Sequence, residues 1–374
     1  MPFAQAQNGA ANEVNIWVAI KPDDTCVIRI ARSEMGQGTL TGLAQLVAEE
    51  LECDWSKVAW EYPTPNENLK RNRVWKNFST GGSRGIRESN QYVREGGAMA
   101  REMLLAAAAA EWKVPAGELK VDKGVITHSS GKKTTYGAVA AAAAQLEPPK
   151  EVKLKDPKDW KIAGKPLKRL DTLDKVTGKQ LYGIDVTLPG MLVATVRACP
   201  VIGGKLKSFD AARVEKMPGL KKVVAIDGNA VVVVADTYWN ARTALAALPT
   251  DWDIGKLGEV QTETINAMLK EGLDASEAFV GNKVGDAKAA IDGAAKKVTA
   301  TYSFPYQHHV TMEPMNATAR YTADKCEVWC GTQNGEAAFA AVLEASGLPA
   351  DKCDVHKMML GGGFGRRGIF QDFV

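Results

Sequence analysis

The sequence predicts an α+β chain of two or three domains, and three observations carry that prediction. Short β-branched runs of strand type alternate with longer stretches that repeat every 3.6 residues. The texture changes at EPPKEVKLKDPKDWKIAGKP, residues 147–166, which is rich in Pro and Lys and has no period, and changes again near Lys297. A chain of 374 residues is long enough for several cores, and its 45% apolar content is ordinary for globular folds.

The elements follow in order. VNIWVAI from Val14 reads as a strand, Pro22-Asp23-Asp24 as a turn, and CVIRIAR from Cys26 as a second strand. TLTGLAQLVAEELE reads as an amphipathic helix, with Leu43, Leu46, Val47, Glu50 and Leu51 on one stripe. A second helix spans about Glu88 to Trp112. These belong to a first segment, residues 1–150, followed by a linker at 151–165 that crosses the surface in extended form. Residues 166–256 carry the strands IDVTLPGMLVATVRAC, KKVVAI and NAVVVVAD and the helix YWNARTALAALP, which predict a small α+β domain with a mixed sheet. Residues 257–374 form a third segment. There VTATYSFPYQHHVTMEPMNATARYT predicts two strands, and CEVWCGT a further strand. The helix GEAAFAAVLEASG and the strand CDVHKMML follow.

Bulk charge narrows the function. With 47 basic and 44 acidic residues the net charge is +3, so nothing general draws the chain to nucleic acid or a membrane surface. No apolar run reaches the roughly 20 residues that span a bilayer. The start, MPFAQAQNGA, has neither the charged nor the apolar region of a secretory signal, although AQAQ resembles what surrounds a small-residue cleavage site. Among six cysteines, Cys26, Cys53, Cys199, Cys326, Cys330 and Cys353, none forms a CxxC, so no zinc or iron–sulfur site is expected in this chain. Cys326 and Cys330 lie on one face of a strand, about 13 Å apart and too far for a disulfide. His308 and His309 would point to opposite faces of a strand, which argues against joint metal ligation.

Three glycine clusters carry the chemistry. SEMGQGTLTG, Ser33 to Gly42, follows a strand and enters a helix. STGGSRGIRESN, Ser79 to Asn90, again sets small and hydroxylated residues before a helix. LGGGFGRRG, Leu360 to Gly368, contains Gly363, Gly365 and Gly368 in a GxGxxG spacing after a strand. Glycine loops let phosphates or polar rings approach backbone amides, and helix N-termini favour anions. The acidic ribose-binding residue of a dinucleotide fingerprint has no counterpart about 20 residues on. A non-catalytic nucleotide- or phosphate-binding protein using GFGRRG as a clamp is nevertheless one reading. Three loops of one design point instead to a large, extended anionic ligand.

Together, EMGQG followed by T-x-x-A-Q-x-x-A-E-E-L, then TGGSRG, MEPMNATARY, TQ and LGGGFGRR, resemble the molybdenum-binding subunits of the xanthine dehydrogenase and aldehyde oxidase family. The likeness is to the branch of isoquinoline 1-oxidoreductase and related membrane-associated aldehyde dehydrogenases. The resemblance covers nearly all of the chain and implies permuted cofactor-binding segments flanking a small a/b hammerhead-like domain. It implies a molybdopterin cytosine dinucleotide whose dithiolene holds the metal, with no protein ligand to molybdenum. Gly36, Gln37 and Gly38 would meet the pterin. Gly82, Ser83, Arg84 and Gly85 would hold a phosphate and the pterin edge. Gln333 matches the glutamine that bonds an oxo ligand. Gly362, Gly363, Phe364, Gly365 and Arg366 match the loop over the metal, with Phe364 shaping the substrate pocket. Gln333 and Phe364 are therefore the candidates nearest the reacting atoms. Glu34 could cap a helix; neither it nor Glu313 is expected to be the base.

The departures carry weight too. Where many relatives have Lys followed by glutamate after GGGF, this chain has Arg366, Arg367 and Gly368, so a purine substrate is not expected, whereas an aldehyde or aromatic N-heterocycle is. The family's general base, a glutamate in a GxGE motif, has no counterpart in these residues. The resemblance thus implies the N-terminal half of a molybdenum subunit, inactive alone. Its partners would be the second half, a small 2Fe–2S subunit and a cytochrome c subunit, with the periplasm or the periplasmic face of the membrane as its place, and the cytoplasm as the alternative.

Overall fold

The fold was established from a computed structural model that describes residues 11–374; the AQAQ stretch lies outside them. Two compact units emerge. The first runs to Thr187 and resumes at Gln307, and the second is Leu188–Tyr306. The segments expected at 1–150 and 257–374 are therefore not separate domains. Residues 166–187 fall in the first unit and 257–306 in the second, where nearly all of the latter are exposed.

In the first unit a four-stranded sheet, Asn12–Glu13, Val18–Ile20, Cys26–Arg29 and Val58–Glu61 in that order, is antiparallel except for its last, parallel pair. The expected strand VNIWVAI forms only at its end. The Asn15 side chain accepts the backbone N–H groups of Trp17 and Val18 at 2.9 and 3.0 Å and bends the chain there. The helices Thr39–Leu51 and Asn90–Trp112 appear as their periodicity predicts and pack together. Gly97 makes that contact possible, since a β-carbon there would strike the Val47 carbonyl. Their apolar faces share one core with Trp75, Phe78 and the small sheet Lys120–Asp122, Val125–Thr127 and Lys133–Thr135.

A second sheet of this unit holds Ala317–Tyr321, Cys326–Cys330 and Cys353–Lys357, with an antiparallel and then a parallel pairing. The helix Gly335–Ser346 covers it through Phe339 and Val342. Cys326, Cys330 and Cys353 are buried here, and all six cysteines are free thiols. Only one of the two strands expected between Lys297 and Thr322 forms. Residues 297–310 have no regular structure, so the alternation argument for His308 and His309 does not apply.

The second unit contains a three-stranded sheet ordered Leu220–Ile226, Ala230–Ala235, Val193–Ala198, and a ribbon of Lys205–Phe209 with Thr250–Asp253. Every pairing is antiparallel, which corrects the expected mixed sheet. The helix Tyr238–Ala247 closes its core through Ala244 and Leu245 against Val231 and Val233.

In the linker, residues 151–156 have no regular structure and a single 3-10 turn, Pro157–Asp159, follows; a buried carboxylate ties the segment down. Glu49 accepts the N–H groups of Lys161, Ile162 and Ala163 at 2.8, 2.5 and 3.1 Å and the Lys155 ammonium at 2.9 Å. Burial pushes its carboxyl up, but these donors outweigh that and leave it below the usual range. Glu49→Ala strands three amides and leaves the Lys155 ammonium with Glu52 alone, 3.0 Å away. We expect a loss of roughly 2–4 kcal/mol and faster hydrogen exchange at 155–163, read by urea unfolding and exchange mass spectrometry.

Candidate functional site

The three glycine clusters and the TQ segment, up to about 330 residues apart in sequence, are stitched together in the first unit. Gln333 is the central pin, only 4% exposed. Its backbone N–H donates to the Arg367 carbonyl at 2.9 Å, and its carbonyl accepts from Thr80 N at 2.6 Å. Its side-chain Nε2 donates to the Thr80 carbonyl at 2.9 Å, and Oε1 accepts from Gly365 N at 3.0 Å. Ser33 adds two further links, from its N–H to Thr80 Oγ1 at 2.8 Å and from its hydroxyl to the Thr332 carbonyl at 2.7 Å. Leu360 N donates to the Glu34 carbonyl at 3.1 Å.

Within EMGQG the organising group is Glu34, which is fully buried. Its carboxylate accepts from Gly36 N, Gly38 N and Leu40 N at 2.8, 2.9 and 2.9 Å, and so caps the helix that follows. Arg169 reaches over the loop to Glu34 Oε1 and the Gly36 carbonyl at 3.0 and 2.9 Å. Arg169 is held in turn by Asp171 at 2.7 Å, and Asp171 also accepts from Lys175 at 2.6 Å. Burial pushes the Asp171 carboxyl up, yet its two cationic partners prevail and hold it at about 2. Gln37 turns inward: its amide accepts from Met35 N and donates to the Ser33 carbonyl and Thr39 Oγ1. It therefore shapes the loop, which qualifies its expected contact with a pterin.

The LGGGFG loop is held by a buried ion pair. Arg367 is fully buried, donates to the carbonyls of Gly331 and Glu313 at 3.0 and 2.8 Å, and meets Glu313 Oε2 at 3.1 Å. The same carboxylate accepts from Gly361 N at 2.9 Å and Ile184 N at 3.1 Å. Burial lowers the Arg367 pKa from its usual value, with Glu313 opposing. Gly363 passes so close that a β-carbon would lie 2.6 Å from Gln333 Oε1 and 2.8 Å from Met35 Sδ. Gly362 and Gly365 have φ of 98° and 101°, where glycine is favoured, and Phe364 shares the left-handed region at 54°. The Phe364 ring is 71% exposed, with His309 Nε2 beside the adjacent Gly365.

Within residues 361–374 the chain forms turns and bends, and GFGRRG does not open a helix there. Arg366, expected to contact the cofactor, makes a bidentate pair with Asp372 at 2.8 and 2.7 Å. TGGSRG, for its part, leads into a single turn, Arg84–Arg87, before the long helix begins at Asn90.

Several loop amides make no hydrogen bond among the described residues, on exposed Gly82, Ser83 and Phe364 and on the more buried Gly362 and Gly363. Gly36 and Gly82 have no backbone and no bulky group within 3.5 Å of the side a β-carbon would occupy. Gly85 is buried against Thr39, which joins TGGSRG to the start of the helix Thr39–Leu51. Ser83 is exposed, and Arg84 is partly exposed 3.9 Å from Glu88. Unfilled amides, a hydroxyl and a guanidinium around open glycine faces suit a flat, polar, anionic group. Sequence reading missed Arg169, Thr80, Arg32 and Lys357, because partners far along the chain leave no local signal, and it missed Asp171, whose own partners Arg169 and Lys175 are local.

Two outcomes test this geometry. Gly363→Ala must push aside Gln333 or Met35 and should cost roughly 1–3 kcal/mol while loosening Gly365, seen as faster exchange of its amide. Asp171→Asn should cost roughly 2 kcal/mol near pH 7. The Asp171 carboxyl is depressed in the folded state, so its contribution is full above its unfolded value of about 4. The gap to the variant should therefore shrink as pH falls from about 4 towards about 2, measured by urea unfolding across that range.

Comparison with known proteins places these loops. A family described as molybdopterin cofactor-binding domain matches residues 2–184, and a second of the same description matches 273–372. The beta chain of isoquinoline 1-oxidoreductase from Brevundimonas diminuta is 30% identical over 96% of this chain and 51% of its own length. A membrane-bound aldehyde dehydrogenase (pyrroloquinoline-quinone) of Gluconacetobacter polyoxogenes is 28% identical over 96% of the chain and 47% of its own. A nicotinate dehydrogenase component of Pseudomonas putida is 26% identical over 95% and 30%. The chain thus spans about half the length, or less, of these curated relatives. The matched stretches contain EMGQG, TGGSRG, TQ and LGGGFGRR, and on them the chain belongs to the molybdopterin cofactor-binding family of xanthine dehydrogenase-type molybdenum subunits.

Proposed function

We propose that this chain is the cofactor-binding portion of a molybdenum hydroxylase or dehydrogenase that oxidises an aldehyde or an aromatic N-heterocycle with water as oxygen source. The observation that carries the proposal is the convergence of Ser33, Thr80, Gln333 and Gly365 through direct hydrogen bonds, which brings four separated glycine and glutamine segments to one place. The cofactor would be molybdopterin in its cytosine dinucleotide form, supplying a redox-active metal that accepts two electrons from substrate.

The chain's own residues have distinct duties in this reading. Gly82, Ser83 and Arg84 bind phosphate or the pterin edge with amides, a hydroxyl and a guanidinium. Gln333 keeps its amide plane fixed between Thr80 and Gly365, with one N–H of Nε2 used on the Thr80 carbonyl and a second to offer. Glu34, Glu313 and Arg367 hold the loops in place. Phe364, exposed on a left-handed turn, forms part of the substrate pocket wall and excludes water from it. Arg366 and Arg367 are both paired within the chain, so neither is free to grip a purine.

The general base would come from a glutamate outside these residues, on polypeptide corresponding to the relatives' other half. Electrons would pass to an iron–sulfur subunit and a cytochrome c. We place the enzyme in the periplasm or on the periplasmic face of the membrane, and read the second unit as hammerhead-like. Among the described residues no helix is long and apolar enough to cross a membrane.

The test is production of the chain in a host that makes molybdenum cofactor, followed by native and denaturing mass spectrometry and elemental analysis. About one molybdenum and one pterin per chain, alone or with co-purifying subunits, is the expected result. Metal-free, pterin-free protein from a molybdenum-replete host would sink the reading. With a loaded complex in hand, turnover of aldehydes and N-heterocycles but not purines is expected.

A further inference from the structure

The segments that carry the loops meet one buried lysine. Lys357 ends the strand Cys353–Lys357 that leads into LGGGFG and is 6% exposed. Its Nζ donates to the Ala31 carbonyl at 2.5 Å, two residues ahead of Ser33. The ammonium lies 4.6 Å from the ring centroids of both Tyr62 and Phe78. Phe78 directly precedes Ser79 and Thr80, and the Tyr62 hydroxyl accepts from Glu34 N at 3.0 Å. Gly335, just past Gln333, rests on the lysine stem: a β-carbon there would be 3.1 Å from Lys357 Cδ.

No carboxylate pairs with Lys357 among the described residues. Its cationic neighbour Arg32 is 1% exposed, donates to Ser89 Oγ at 3.0 Å and to the Ser79 carbonyl, and reaches Glu88 only at 3.5 Å. The Glu88 side chain is 40% exposed. Other acids nearby in the chain are spent elsewhere: Glu34 on its loop amides, Glu336 on Arg73, and Asp354 on Thr64. A buried lysine and a buried arginine thus stand behind the loops, with the exposed Glu88 carboxylate 3.5 Å from Arg32 as counter-charge. Carbonyls and ring faces offset part of that cost, but a buried cation without an anion is an unbalanced arrangement.

Resting on the reading that the glycine loops hold a phosphate-bearing cofactor, we propose that Lys357 is a positioning residue for that anion. With Arg32 it forms a cationic platform beneath the loops, and it takes up a proton as the anion seats. The open amides of Gly82, Ser83, Gly362 and Gly363 face the anion, while Lys357 and Arg32 align the segments that present them. Burial, aided by the Arg32 charge, pushes the free lysine down to about 7, so near neutral pH a substantial share of it is uncharged and able to accept that proton.

The test is calorimetric titration of the full chain with inorganic pyrophosphate at pH 6.5, 7.5 and 8.5, in buffers of different ionisation enthalpy. Wild type, Lys357→Arg and Lys357→Met are compared at each pH, so that pyrophosphate's own ionisation cancels. Wild-type affinity should fall about tenfold more than that of Lys357→Arg between pH 6.5 and 8.5, because lysine loses its charge over that range and arginine keeps it. Lys357→Met should bind more weakly than either, without the extra pH slope. Wild type should also take up a fraction of a proton near pH 7.5 that neither variant shows. Should Lys357→Met not fold, wild-type proton uptake and Lys357→Arg decide the matter. Equal slopes and no excess uptake, with pyrophosphate still bound, would overturn the role of Lys357 and leave the loop reading standing. Absence of binding in all three proteins would overturn this inference, while molybdenum and pterin content judges the loop reading separately.

Discussion

One buried amide residue has no slack. Gln333 spends its backbone N–H on Arg367, its carbonyl on Thr80, its Oε1 on Gly365 and one Nε2 proton on the Thr80 carbonyl. These bonds join loops from two distant parts of the chain, and neither loop has regular structure of its own. A loop without a ladder must satisfy its polar groups some other way. Here it does so through a side chain with a donor and an acceptor on one rigid plane. Replacing that plane with a carboxylate or an aliphatic group would leave at least one buried partner unmet, so the position tolerates little else.

Around that pin the site is built by charges pointing inward. Glu34 with Arg169, and Glu313 with Arg367, each tie one glycine loop to a segment remote in sequence. Both carboxylates and Arg367 are buried while Arg169 is partly exposed, and desolvation offsets much of the attraction in both pairs. They do impose geometry, since breaking either partner strands a charge. Rigid loops follow from that penalty, and rigid loops are what a large flat cofactor requires of a binding surface.

The sequence disclosed the parts of this arrangement that are local. Helices Thr39–Leu51, Asn90–Trp112 and Gly335–Ser346 were legible because a 3.6-residue repeat records burial on one face. The glycine loops were legible as composition. Strand direction in the second unit was not, because an antiparallel strand and a parallel one share the same period. VNIWVAI misled because a single side chain, Asn15, competed with the ladder for two N–H groups. VTATYSFPY alternates like a strand, yet Val298, Tyr302, Phe304 and Tyr306 are 75–84% exposed, since a period specifies a face but supplies no neighbour to cover it. The pins Arg169, Arg367 and Lys357 were invisible because each depends on a partner dozens to hundreds of residues away.

The EMGQG loop shows why a local motif can be read correctly and still mislead about binding. A glycine loop entering a helix offers N–H groups to an anion. In this chain the anion is already built in: the Glu34 carboxylate occupies the amides of Gly36, Gly38 and Leu40, and Arg169 balances its charge. An incoming phosphate at those amides would have to displace a buried carboxylate, which is far costlier than filling free donors. The free donors lie instead at Gly82, Ser83, Gly362 and Gly363, where no internal acid competes. The unbonded amides therefore lie on the second and third loops, while those of the first are already taken. The first is a preassembled wall, with its outward face open at Gly36, against which the remainder of the ligand can lie.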